Sequence, residues 1–228
     1  MTLAGEMLAI AAADMIEEFR AMAISSARNS AKTDNNPQAH AAKVTIRQSV
    51  LKAIGAERAH VFDAFAGGGE MHSAVWKGAA SYTGCDMKWQ RDGRRMFCAD
   101  NRRVMRAIKL TPFNVFDLDA YGSPWEQAII ACDRRPVAAG ELVGFCLTEG
   151  NGFAFKSNVM PIAIQMLTGL KPGIVGLSKK QDSIIDRAIA GLAKRMRCDV
   201  KARWQAEGNT GASMRYIGLV FAGRPQSG

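Results

Sequence analysis

His60-Val61-Phe62-Asp63-Ala64-Phe65-Ala66-Gly67-Gly68-Gly69-Glu70 is the stretch on which the reading of this chain turns. A short apolar run ending in an acid reads as a buried strand, three successive glycines as a tight turn, and Glu70 as the first turn of a helix. Glycines let the backbone turn and approach a ligand with no Cβ in the way. The following helix directs unpaired N–H groups back toward that ligand. The spacing excludes two familiar cradles. A dinucleotide turn needs glycine or alanine where His72 stands, and no Gly-Lys-Ser/Thr follows for a P-loop.

Outward from this turn the chain alternates strands with helices, which implies a largely parallel, doubly wound α/β sheet. Tyr82–Asp86 reads as a second strand and Met96–Asp100 as a third, both ending in an acid. Asp86 at its strand end suits the two hydroxyls of a ribose, as in adenosine cofactors generally. Asn114-Val115-Phe116-Asp117-Leu118-Asp119-Ala120-Tyr121-Gly122-Ser123-Pro124 reads as a buried strand entering a turn. Ser123, Pro124 and Glu126 then form a capping box for the next helix. Residues 141–148 read as a fifth strand, a short helix is expected around 159–167, and a second capping box at Ser178 and Gln181 opens a helix to about Arg197. Strands over 200–206 and 214–222 close the series. Before the glycine turn, residues 3–28 read as a helix with an apolar stripe, 29–39 as a linker, and 41–54 as a second helix stopped by Gly55. The expected division is 1–40, helix and linker, and 41–228, the catalytic-type domain.

The 228 residues, 48% of them hydrophobic, can bury one full core. No run of about 18 apolar residues spans a membrane, and no basic n-region precedes an apolar core at the N-terminus, so the cytoplasm is the expected compartment. Five scattered cysteines and three histidines lack the spacing of a zinc site, so no metal is expected. A formal charge of +9 favours a polyanionic partner, nucleic acid above all. Arg91, Arg94, Arg95, Arg102, Arg103 and Arg106 cluster as a candidate phosphate track.

Asp63, Phe65, Gly67 and Gly69 form Asp-x-Phe-x-Gly-x-Gly, which resembles the first motif of class I S-adenosylmethionine-dependent methyltransferases that act on amino nitrogens. Asp117, Asp119, Tyr121, Gly122, Ser123 and Pro124 resemble the fourth motif of the tRNA guanine-N2 dimethyltransferase family, with Ala120 in place of its proline. The resemblance covers roughly residues 58–150 and leaves no counterpart for that family's RNA-recognition domain. It implies a Rossmann-like, mostly parallel seven-stranded sheet with an antiparallel edge strand, plus N-terminal helices. It implies S-adenosyl-L-methionine as cofactor, held by Asp63, Phe65, Ala66, Gly67 and Gly69 of the first turn and by Asp86, Met87, Asp100 and Asp117 beyond it. Asp119, Ala120 and Tyr121 would be catalytic.

The residue types suit that chemistry. A base's exocyclic amine is a poor nucleophile because its lone pair is delocalised into the ring. A carboxylate (Asp119) and a backbone carbonyl (Ala120) can accept its N–H groups and favour a more tetrahedral nitrogen. Tyr121 can stack on the base. Carbon-5 methylation would require a cysteine in this turn, and none is there. The expected reaction is methyl transfer to an amino nitrogen of a nucleobase, in RNA before DNA. An amino-directed DNA methyltransferase and a non-catalytic nucleic-acid-binding subunit are the alternatives. A nicotinamide oxidoreductase is disfavoured by His72.

Overall fold

A computed structural model describes residues 37–88, 92–207 and 214–225. The expected helix over 3–28, Arg91 and most of the expected 207–213 loop lie outside the described residues.

Seven strands form one sheet: β1 (His60–Asp63), β2 (Ser81–Asp86), β3 (Met96–Cys98), β4 (Val115–Leu118), β5 (Leu142–Glu149), β6 (Cys198–Glu207) and β7 (Arg215–Gly223). Their order is β3-β2-β1-β4-β5-β7-β6. The first five pair in parallel, and β7 runs antiparallel to both β5 and β6. The reversed strand therefore lies one place in from the margin that β6 occupies. A register shift between Val200 and Ala202 turns Val200 outward, so regular alternation along β6 begins only at Ala202.

Alternation along the strands makes two cores. On one face Phe62, Phe116 and Phe145 stand in register and are fully buried, with Phe116 and Phe145 stacked at 5.2 Å. Burying each such ring stabilises the fold by roughly 1.5–3 kcal/mol relative to exposure. This face is covered by helices α4 (Trp125–Arg134) and α7 (Gln181–Met196), whose Ile129, Ile185 and Leu192 belong to the same cluster. On the other face Val61, Val115, Cys146 and Val220 meet Val50 and Ile54 of α1 (Pro37–Ile54). The helix lies very close to the sheet, because a Cβ at Gly144 would sit 2.6 Å from Val50 Cγ1. That seating carries the first half of α1 over the carboxyl ends of β4 and β5.

Between these elements lie α2 (Glu70–Ala74), α3 (Asn101–Ala107), α5 (Gly152–Lys156) and α6 (Ile162–Thr168). Neither expected capping box forms. Pro124 and Lys180 occupy the N-cap positions of α4 and α7 without side-chain caps, and residues 177–180 are a 3₁₀ turn. The described part of α1 already runs from Pro37, inside the expected linker. Among the described residues, no helix is long and apolar enough to cross a membrane, and no three His, Cys, Asp or Glu side chains gather as a metal site.

Candidate functional site

The glycine turn is wedged between neighbouring strand tips. Ala64 N–H donates to the Asp117 carbonyl (2.9 Å) and Ala66 N–H to that of Cys85 (3.1 Å). Gly67 and Gly69 take φ of 42° and 87°, the left-handed region that favours glycine. Arg94 fixes the turn, donating Nη1 to the Ala66 carbonyl (2.9 Å) and Nη2 to that of Gly67 (2.8 Å). A Cβ on Gly69 would lie 2.8 Å from the Arg94 Cζ, so this glycine makes room for the clasp. Arg94 is therefore a structural brace, paired further with Asp92 at 2.7 Å, rather than part of a phosphate track. Arg102 and Arg106 are half-exposed; both pair with Glu126, and Arg102 also with Asp100.

Beside the turn is a cavity of about 250 Å³ lined by Phe65, Asp86, Met87, Asp100, Asn101 and Gln127 among others. Asp86 links cradle to cavity: Oδ2 accepts from Gly67 N–H (3.0 Å) and Oδ1 from Lys88 N–H (2.9 Å). Each oxygen retains a lone pair for a ligand hydroxyl. Asp100 lines the cavity too. It caps α3 by accepting from the N–H groups of Arg102 (2.9 Å) and Arg103 (3.1 Å), and its second oxygen accepts from Arg102 Nη2 (2.9 Å). The Arg102 bond, with these N–H groups, holds its carboxyl below the usual range. The sequence reading missed Asn101 and Gln127, which lack any motif signal. Asn101 donates to the Ala64 carbonyl (2.8 Å) and accepts from Gln127 Nε2 (3.1 Å).

Two expected cofactor ligands lie underneath instead. Asp117 is sealed and accepts three bonds of 2.7 Å, from Arg47 Nε and Nη2 and from Trp76 Nε1. Its cross-strand partner Asp63 is also buried, accepting from Phe65 N–H (3.0 Å) and Tyr82 Oη–H (2.9 Å). Burial and the Asp117 charge push the Asp63 carboxyl up. Both acids brace the loops from within; neither wall of the cavity includes them. Ala66 is likewise buried and contributes backbone bonds only.

Asp119 continues β4 beyond its tip. Thr148 Oγ–H donates to Oδ1 (2.5 Å), while Lys43 Nζ (3.1 Å) and Arg47 Nη2 (3.5 Å) pair with Oδ2. Its side chain is 17% exposed, so it remains reachable. Burial alone would raise its carboxyl, but Arg47 and Lys43 outweigh burial and hold it below the usual range. Those two cations, one helical turn apart on α1, are the site residues whose sequence signal was weakest: charged positions on a helix usually face water. Ala120 is buried, and its carbonyl already accepts from Gly122 N–H (3.0 Å). Tyr121 is 88% exposed and packs on nothing that would aim it at Asp119. A second clasp holds this loop. Gly150 N–H donates to the Gly122 carbonyl (2.6 Å), Asn151 Nδ2 to Ser123 Oγ (3.1 Å), and Trp125 Nε1 to the buried Glu149 carboxylate. Burial pushes Glu149 up to about 7, against the bonds from Asn151 and Trp125.

A larger hollow of about 800 Å³ at the opposite sheet end is lined by Arg135, Arg195, Arg197 and Arg224. Three of them are tied to Glu141, Asp133 and Asp199, so the hollow is far less cationic than its arginines suggest.

Strand order, the reversed β7 and ligand-type loops at the carboxyl ends of β1, β2 and β4 define the Rossmann-like class I methyltransferase fold. Solved structures of that fold match. N-methyltransferase NodS from Bradyrhizobium japonicum, in complex with S-adenosyl-L-homocysteine, superposes with a TM-score of 0.52 at 10% identity, over 84% of this chain and 90% of that one. Trm1 from Pyrococcus horikoshii, in complex with S-adenosyl-L-methionine, gives 0.52 at 14% identity, over 84% of this chain and 57% of that one. A tRNA m1G37 methyltransferase from M. jannaschii gives 0.47 at 14% identity, over 83% of this chain and 51% of that one. The chain thus spans little more than half the length of Trm1 and of the tRNA m1G37 methyltransferase. No family model matches the sequence, and no curated protein matches it.

Proposed function

We propose that the chain is an S-adenosyl-L-methionine-dependent methyltransferase acting on an exocyclic amino nitrogen of a nucleobase, in RNA before DNA. The observation that carries this reading is the Asp86 carboxylate, which receives the glycine turn's N–H and lines the cavity, while Asp119 leaves a neighbouring strand tip. The residues fit the cofactor. Phe65 and Met87 offer apolar walls for a base, Asp86 has acceptor capacity for ribose hydroxyls, and the turn closes at Gly69, where a φ of 87° and the nearby Arg94 leave no room for a side chain. When bound, the cofactor supplies a methyl group on a positively charged sulfur.

The chain's own residues then position and polarise. Asp119, kept ionised by Lys43 and Arg47, accepts an N–H of the incoming amine on the lone pairs its partners leave. The Thr148 bond fixes the carboxylate plane. Ala120 offers one remaining carbonyl lone pair, on a turn that Glu149, Asn151 and Gly150 hold in place of the missing proline. Tyr121, standing free at the surface, stacks only on a base brought to it from outside. Asp119 accepts a hydrogen bond and does not retain the proton, which passes to water once the nitrogen is methylated. The formal charge of +9 supports a polyanionic substrate.

Labelled methyl transfer tested on total tRNA and on duplex DNA separates the two substrates. Asp119→Ala abolishes transfer and leaves cofactor binding intact; undiminished turnover in that variant removes the catalytic assignment. The Lys43–Asp119 ion pair also favours a second reading, a non-catalytic nucleic-acid-binding subunit, which predicts cofactor binding with no transfer to either substrate.

A further inference from the structure

We infer that Gln127 reads the base of the cofactor, its Oε1 accepting an N–H from the exocyclic amine of a 6-aminopurine seated in the cavity beside Phe65. The inference rests on the cofactor reading above and assigns a residue that reading lacks. Asp100, which also lines the cavity, is engaged in capping α3 and in pairing with Arg102, and serves as the control.

Three facts orient the amide. The Ala64 carbonyl can only accept, so the Asn101 atom 2.8 Å from it is the donor Nδ2. Asn101 therefore turns Oδ1 toward Gln127, and the Gln127 atom 3.1 Å away is its donor Nε2. Gln127 Oε1 is left over, a buried acceptor with no hydrogen-bond partner on a residue that is 8% exposed and lines the cavity. Flipping Asn101 sets acceptor against acceptor at the Ala64 carbonyl, and flipping Gln127 alone does the same at Asn101 Oδ1. An unmatched buried acceptor is costly, and a ligand presenting a donor removes that cost. A 6-amino group does so; a 6-oxo group presents a second acceptor and makes it worse.

The test is calorimetric titration of the full chain with S-adenosyl-L-homocysteine and with its 6-oxo analogue, S-inosyl-L-homocysteine. Wild type is expected to bind the amino form roughly 10- to 100-fold more tightly, the range for a buried polar group left unpaired. Gln127→Met, similar in size, is expected to bind the two within about threefold by the same reasoning. Asp100→Ser, which keeps a helix cap, is expected to retain the preference. Because each variant is judged by a ratio of two ligands, a general loss of stability does not imitate the result. Equal binding of both ligands by wild type, or a preference that survives Gln127→Met, or one lost in Asp100→Ser alone, overturns the assignment while the cofactor reading stands. Binding of neither ligand by folded wild type removes both.

Discussion

Replacing Arg47 by methionine tests how the site is held together. Arg47 is 1% exposed, makes two 2.7 Å bonds to Asp117 and lies 3.5 Å from Asp119. Methionine fills much the same volume, so the loss is electrostatic. Asp117 keeps only the Trp76 bond and becomes a buried, uncompensated charge. Breaking a buried pair in this way costs roughly 3–5 kcal/mol. For a domain of this size each kcal/mol lowers the melting midpoint by roughly 2–4 °C, so a fall of roughly 6–20 °C is expected. Urea unfolding followed by tryptophan fluorescence reads the loss. Adding Asp117→Leu removes the stranded charge and recovers most of the loss, less roughly 1–3 kcal/mol for the unpaired Trp76 N–H. A loss below about 1 kcal/mol for Arg47→Met refutes the reasoning.

Gly69→Ala places a methyl 2.8 Å from Arg94 at a φ of 87°, so cofactor affinity falls by roughly tenfold or more, measured by titration; unchanged affinity means the clasp does not shape the cradle. Tyr121→Ala, at a residue 88% exposed, changes stability by less than about 0.5 kcal/mol but lowers methyl transfer roughly tenfold with cofactor affinity intact; equal turnover in a steady-state assay denies it a stacking role. Glu149 has a folded value of about 7 against 4.5 ordinarily, so between these values the folded state holds a proton that the unfolded state has lost. Stability from this group is therefore present below pH 4.5 and declines as pH rises to about 7, and Glu149→Gln flattens that slope in unfolding titrations. An identical slope in the variant assigns the pH dependence elsewhere.

The fold was legible because its signals are local. The β1 run from His60, the glycine turn and the acid closing β2 each depend on residues within a few positions, whereas β3 stops at Cys98, short of Asp100, which caps the next helix instead. Local too is the helix start after Pro124, but the fate of Ser123 is not: its hydroxyl serves Asn151 from the next strand's loop instead of capping α4. The electrostatic frame was illegible for the same reason. Arg47 is buried because Asp117, 70 positions away, lies across from it, and nothing in the polar pattern of residues 37–54 marks that side chain as internal. Arg94 looked like part of a cationic track until its partners, two carbonyls of the glycine turn, came into view. Asp63 and Asp117 were read as ligand contacts from motif position alone, whereas alternation turns both toward α1's face of the sheet and away from the cavity. Asp86, the last residue of β2, and Met87 after it line the cavity.

The central claim is that the cavity beside the glycine turn holds a methyl donor through Asp86. Isothermal titration of S-adenosyl-L-homocysteine into the wild-type chain and into Asp86→Ala tests it directly. One saturable site in wild type, weakened roughly tenfold or more in the variant by the loss of charge-assisted bonds, is the predicted result. No saturable binding by folded wild type, or equal affinity in the two proteins, would contradict it.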